Sequence, residues 1–186
     1  MEKDKVIILI PSFNEFKTLK TVCNNLKKLN YNFIVLDDKS TDNTNNWLKL
    51  KKFKFIKNRV NLGYEENILN GFRYILKKKK FKFIITFDAD MEHKISDLKT
   101  AFKIIDKNLD LIIFNRNKFN RWSENLLNFF FERKFNLKDP LSGFKVYKVK
   151  KLKRIFKLIN NDKFLVDIVY YFKMKSGELY QANPGD

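Results

Sequence analysis

Short apolar runs alternate along this chain with segments of helical period, and few architectures allow that alternation. Val6 to Ile10 is continuous, rich in branched residues and closed by Pro11, which reads as a buried strand. Leu19, Val22, Cys23, Leu26 and Leu29 then recur at helical spacing. Phe33 to Leu36 reads as a second strand. Ser40 or Thr41 is placed to cap a short helix carrying Trp47 and Leu48. Lys54 to Ile56 is a weaker strand, and Ile68, Leu69, Phe72, Ile75 and Leu76 mark the next helix. Phe81 to Phe87 is the strongest strand signal. Ser96 is placed to cap a helix through Leu98, Ala101, Phe102 and Ile105, and Leu109 to Phe114 follows as a strand. Strands alternating with helices predict an α/β fold, with a mostly parallel central sheet flanked by helices.

After Phe114 the pattern turns helical: Trp122 to Phe135, Lys150 to Ile159 and Phe164 to Met174. The expectation is one domain over residues 1–186, with a ligand-binding part in about residues 1–116 and a helical part in about residues 117–186. Twenty Phe and 44% hydrophobic residues suffice for a core, and 5 Gly with 3 Pro argue against disorder. No apolar run nears the ~20 residues a membrane helix needs, and the start MEKDKVIILI is unlike a signal peptide. One cysteine, packed among Leu19, Val22 and Leu26, suits a reducing cytoplasm and a structural role. The net charge of +18 carries two readings, attraction to anionic partners or a solvated lysine surface.

Chemistry concentrates at strand ends. Four expected strands run directly into polar clusters: PSFNE, DDKS, DAD and NRN. Ligands of open α/β sheets bind outside the carboxyl ends of the strands, so these clusters are expected to serve one crevice. Asp88, Asp90 and Glu92 alternate, and an extended backbone would point all three carboxylates to one side. Crowded carboxylates favour a shared cation, and hard oxygen donors select Mg²⁺ or Mn²⁺. Such ions complete their shell with phosphate oxygens, which a nucleotide diphosphate supplies; a solvated acidic turn is the bland alternative. Asp37 and Asp38 either accept hydrogen bonds from a base or ribose, or cap a turn together with Ser40, Thr41 and Asp42. Asn14 and Glu15 carry the same two readings. His93, as a lone histidine, is read as incidental, and no second His or Cys offers a zinc set.

The segments PSFNE (11–15), VLDDKSTDNT (35–44), NLGYEENILNGF (61–72), FDADMEH (87–93) and DPLSGFKVY (139–147) resemble the family 2 glycosyltransferases. Among these they are most similar to polyprenyl-phosphate sugar synthases of the dolichyl-phosphate mannose synthase kind. The resemblance runs from about Val6 to Tyr147 in the family's order. It implies a GT-A (Rossmann-like) fold. It also implies nucleotide-sugar binding by Pro11, Phe13, Asn14, Glu15, Asp37, Asp38, Gly63 and Asp88, with Asp38 reading the base. Asp88, Asp90 and Glu92 match the metal-binding trio, whose third position is usually glutamine in these synthases. Arg116 matches an arginine facing the acceptor phosphate, and Arg121 is a looser second match. Asp139 and Ser142 fall in a loop near the acceptor. The family usually continues beyond the position of Asp186 with a strand and a basic segment, so a reduced acceptor side is expected.

The resulting expectation is an inverting, metal-dependent hexosyltransferase, with Asp90 and Arg116 as its catalytic residues. Mn²⁺ or Mg²⁺ is the cofactor, a GDP- or UDP-sugar the donor and polyprenyl phosphate the acceptor. An acceptor phosphate is already ionised near neutral pH and needs arginines to place it, not a base. The competing expectations are a glycosyltransferase acting on a saccharide acceptor in cell-envelope glycan synthesis, and a catalytically silent nucleotide-sugar-binding domain. The aromatic helix from Trp122 to Phe135 faces either a lipid acceptor or the core. A cytoplasmic enzyme with peripheral contact at the inner membrane face follows. No nucleic-acid partner is expected, because acids occupy the strand ends and no nucleic-acid motif occurs.

Overall fold

The structure, a computed structural model, describes residues 3–105, 109–116, 122–158, 168–172 and 179–182, with backbone alone at 122–127. The chain divides into two compact units, Met1–Ile95 and Ser96–Asp186.

In the first unit the strands are β1 (Val6–Ser12), β2 (Phe33–Asp37), β3 (Phe55–Lys57) and β4 (Phe83–Thr86). They lie in the order β3-β2-β1-β4, all pairings parallel. Every residue of β1 is buried, as a central parallel strand covered on both faces requires. Helices α1 (Phe16–Lys28), α2 (Thr44–Leu50) and α3 (Tyr64–Leu76) make the crossovers. The expected stripes are the buried ones: Leu19, Val22, Cys23 and Leu26 on α1, and Ile68, Leu69, Phe72 and Ile75 on α3. Gly71 lets α3 lie close to the sheet, since a Cβ there would meet Leu36 Cδ1 at 2.5 Å and Leu9 Cδ1 at 3.1 Å. Burial pushes the Cys23 thiol up to about 12, so it stays protonated and packs as an apolar group.

The second unit holds α4 (Ile95–Ile104, its first residue at the boundary), β5 (Leu111–Phe114), α5 (Trp122–Phe135), β6 (Lys145–Lys148), α6 (Val149–Leu158) and β7 (Leu179–Ala182). Strand β5 pairs antiparallel with β6 and parallel with β7. Across the two units the described pairings are thus mostly parallel, as expected.

Two strands were not anticipated. Both β6 and β7 have four residues, too few to show alternation, and β6 hides Val146 and Tyr147 between lysines. Residues 168–172 are helical as expected, but the rest of the Phe164 to Met174 segment lies outside the described residues. The caps also differ. Helix α4 begins at Ile95, so Ser96 sits inside its first turn and its hydroxyl donates to Asp97 Oδ1 (3.3 Å). Helix α2 begins at Thr44, with Asn43 at the N-cap position, so neither Ser40 nor Thr41 caps it; Asp42, the third residue expected to cap the turn, accepts at Oδ1 from the Thr44 N–H (3.0 Å). Among the described residues, no helix is long and apolar enough to cross a membrane.

Candidate functional site

The carboxyl ends of β1, β2 and β4 carry a dense polar network within the first unit. Beyond β1, Asn14 adopts φ 57°, a left-handed conformation that asparagine tolerates. Its N–H donates to Ser40 Oγ (3.0 Å), and its Oδ1 accepts from the Thr41 N–H (2.8 Å). Asn14 therefore ties the end of β1 to the loop after β2. Pro11 is buried within β1, while Phe13 is 47% exposed at the rim.

The adjacent aspartates at the end of β2 both accept hydrogen bonds from within the fold. Asp37 is fully buried; Oδ1 accepts from the Ser40 N–H (3.1 Å) and Oδ2 from the Asn45 side chain. Asp38 is 3% exposed. Its Oδ1 accepts from Asn58 Nδ2 (2.8 Å) and the Leu62 N–H (2.8 Å), and its Oδ2 accepts from the Gly63 N–H (2.8 Å). A carboxylate offers about four lone-pair sites, so three internal donors leave Asp38 about one for a ligand. Its geometry makes it first the staple of loop 58–63. That loop ends at Gly63, whose φ of 79° and ψ of 164° suit glycine, and α3 starts from it. An asparagine relay backs the staple: Asn58 Nδ2 also donates to Asn67 Oδ1 (2.9 Å), and Asn67 Nδ2 to the Leu36 carbonyl (2.9 Å).

The acidic segment after β4 corrects one expectation. Residues 89–93 form a turn instead of continuing the strand, with Met91 at φ 68°. Asp90 Oδ1 accepts from the Glu92 N–H (2.9 Å), the bond that closes such a turn. Period-2 alignment of Asp88, Asp90 and Glu92 therefore does not hold. Among the described residues no group of three His, Cys, Asp or Glu has metal-binding geometry.

A different acidic group forms. Half-buried Glu15 has its carboxyl pushed up from 4.5 to about 7, first by burial, then by the charges of Asp90 and Asp88. Asp88 and Asp90, at the end of β4, therefore act through their charges on Glu15, at the end of the neighbouring β1. Tyr64, at the start of α3, donates its hydroxyl to Asp88 Oδ1 (2.8 Å). The sequence reading assigned no role to Tyr64; its position directly after Gly63 was the available signal. His93 is buried at 9% exposure.

In the second unit, Arg116 follows β5. Its Nε donates to Asp139 Oδ2 (3.0 Å) and its NH2 to Asp139 Oδ1 (3.1 Å), while its backbone N–H also reaches Oδ2 (3.0 Å). Asp139 is wholly buried. Ser142 is also wholly buried, its hydroxyl donating to the Phe114 carbonyl (2.6 Å). Asp139 and Ser142 therefore shape the loop beside Arg116. Arg121 lies outside the described residues. On α5, Phe129 and Phe130 are 62% and 50% exposed.

The model of glycosyl transferase family 2 matches residues 7–156. This chain belongs to that family. Its fold is accordingly the GT-A type of α/β fold. One relative is the UDP-N-acetylglucosamine–dolichyl-phosphate N-acetylglucosaminyltransferase of Methanococcus voltae. It is 32% identical over 139 residues, covering 62% of this chain and 53% of the relative. The dolichol-phosphate mannosyltransferase of Pyrococcus furiosus is 26% identical over 171 residues, covering 75% and 45%. This glycosyltransferase chain thus spans about half the length of these curated relatives. Among solved structures, glucosyl-3-phosphoglycerate synthase from Mycobacterium tuberculosis, in complex with Mn²⁺, UDP-glucose and glycerol 3-phosphate, matches with a TM-score of 0.72. The match covers 97% of this chain and 70% of that one, at 16% identity, and so supports the fold alone.

Proposed function

We propose that residues 1–186 form one catalytic domain that moves a sugar from a nucleotide-diphosphate donor to a polyprenyl phosphate. The observation that carries the donor half is that Asp88 and Asp90 act on half-buried Glu15, whose carboxyl is pushed up to about 7 first by burial and then by these two charges. In this reading Asp88 and Asp90 hold Mn²⁺ or Mg²⁺. When bound, the ion stabilises charge on the departing diphosphate. Tyr64 orients Asp88, and the turn closed by Asp90 fixes that carboxylate beside it. Asp38 keeps loop 58–63 in place to cover the nucleoside, and exposed Phe13 offers a ring edge to the base.

For the acceptor half, Asp139 orients the Arg116 guanidinium to meet a phosphate that is already an anion. No base on the chain is then required. The names of the Methanococcus and Pyrococcus relatives support a dolichyl-phosphate type of acceptor, and exposed Phe129 and Phe130 support contact with the lipid at a membrane surface.

Radiolabelled UDP- and GDP-sugars with Mn²⁺, offered to polyprenyl phosphate or to saccharides, test this directly. The expected product is a lipid-phosphate sugar, abolished by Asp90→Asn and strongly reduced by Arg116→Leu. Transfer to saccharides alone would overturn the acceptor assignment. Metal-dependent donor binding without transfer would make the chain a silent binding domain.

A further inference from the structure

The first unit carries a second concavity at the opposite ends of its strands. Loops 29–32, 51–54 and 77–82 bring the chain into the amino ends of β2, β3 and β4. They line a cleft of about 770 Å³. Small-ligand pockets occupy about 300–1,000 Å³.

Six lysines line this cleft: Lys27, Lys51, Lys52, Lys54, Lys78 and Lys80; no Asp or Glu does. The whole chain has 39 Lys and Arg against 21 Asp and Glu, nearly two to one, so composition alone would set about three acids beside six lysines. Among the described residues none of the six is ion-paired. Helix ends account for part of this: Lys27 lies in the last turn of α1, Lys51 is the C-cap of α2, and Lys52 and Lys78 follow the ends of α2 and α3, whereas Lys54 and Lys80 lie farther along the loops.

Aromatic rings neighbour three of the six ammonium groups. Lys27 Nζ lies 5.4 Å from the Phe53 ring centre, Lys78 Nζ 5.0 Å from Tyr74 and Lys80 Nζ 5.6 Å from Phe81. The rim is also preformed. Asn30 and Lys52 take left-handed φ of 55°, and the turns close with Tyr31 N–H to the Leu26 carbonyl and Phe53 N–H to Leu48, each 3.0 Å. Like charges gathered along one cleft repel one another, and an anion of several charges relieves that repulsion. Tyr74, 41% exposed, leaves ring surface for stacking.

We propose that this cleft is a second ligand site that takes a nucleoside polyphosphate, the lysines binding its phosphates and a ring such as Tyr74 carrying its base. The chemistry common to all candidate sources is a chain of phosphates, from a nucleotide or from inorganic polyphosphate.

Calorimetry with ATP and with tripolyphosphate, in EDTA and about 0.15 M salt, tests it, because EDTA silences metal-dependent donor binding. One equivalent of ATP is expected to bind, more tightly than tripolyphosphate. Lys54→Glu with Lys78→Glu should weaken ATP by about ten-fold or more, since charge-assisted contacts at separate lysines add. Lys99→Glu with Lys103→Glu, the same charge change on α4, should alter it by less than about two-fold. Asp90→Asn should leave it unchanged. Equal affinity for tripolyphosphate would keep the phosphate site and assign its source to inorganic polyphosphate. No binding of either ligand overturns the proposal, as does equal weakening by both lysine pairs or loss in Asp90→Asn. Association with phosphatidylserine vesicles, with ATP ignored, overturns it in favour of a membrane surface.

Discussion

Removing the Asp139 carboxylate should unfold this protein more readily than any exposed charge change, by an amount set by burial. Asp139 is 0% exposed and the Arg116 side chain 12%. Asp139→Ala deletes the two guanidinium bonds and the acceptor of the Arg116 backbone N–H, all at 3.0–3.1 Å. A largely buried cation left without its carboxylate costs about 3–5 kcal/mol. The Arg73–Glu66 pair, 42% exposed on both sides, provides the contrast, and Arg73→Ala should cost at most about 1 kcal/mol. Urea unfolding followed by circular dichroism measures both. Arg116→Met combined with Asp139→Leu should cost less than Asp139→Ala alone, because no charge is then stranded. A loss below about 1 kcal/mol for Asp139→Ala, matching the exposed pair, would refute the claim that Asp139 is what holds Arg116 in place.

Glu15 has a folded pKa raised from 4.5 to about 7, so its contribution is fully present below 4.5 and lost as pH rises through 7. Glu15→Gln should match the wild type near pH 4 and exceed it at pH 8 by about 1 kcal/mol, after discounting for its half-exposed position; pH-dependent melting without metal reads the difference, and a gap that shrinks with rising pH contradicts it. Gly71→Ala should destabilise by about 1–3 kcal/mol, because the new methyl meets Leu36 Cδ1 at 2.5 Å and α3 must retreat from the sheet; an unchanged Tm would show that Leu36 yields freely. Asp38→Ala removes the acceptor of the Leu62 N–H and one of the two acceptors of the Gly63 N–H, both partly exposed, so a loss of about 1 kcal/mol is expected together with faster proteolysis within loop 58–63; unchanged cleavage would contradict the stapling role.

The central strands and their helices were legible because burial leaves a periodic mark. A strand covered on both faces reads as an unbroken apolar run, as Val6 to Ile10 does, and a one-sided helix reads as the stripe from Leu19 to Leu26. The polar clusters at the strand ends were legible for the same reason, since each interrupts such a run. Strands β6 and β7 were not: β4 and β5 are as short but are unbroken apolar runs, whereas KVYK and LYQA mix apolar with polar residues and offer no such run.

What each polar residue does depended on partners far away in the sequence. Adjacent Asp37 and Asp38 look equivalent, yet one caps the turn into α2 while the other staples loop 58–63 across 20 to 25 residues. The alternating acids at 88, 90 and 92 suggested one extended row, but the side chain of Asp90 bonds its own backbone and folds the segment into a turn. Glu15 joins Asp88 and Asp90 only because β1 and β4 are neighbours in the sheet. Local sequence determined which residues are buried and where the polar groups emerge, because hydrophobic periodicity acts over one or two turns. Hydrogen bonds and charges act through space, so tertiary structure alone decided which carboxylates bond within the fold and which stand close to one another.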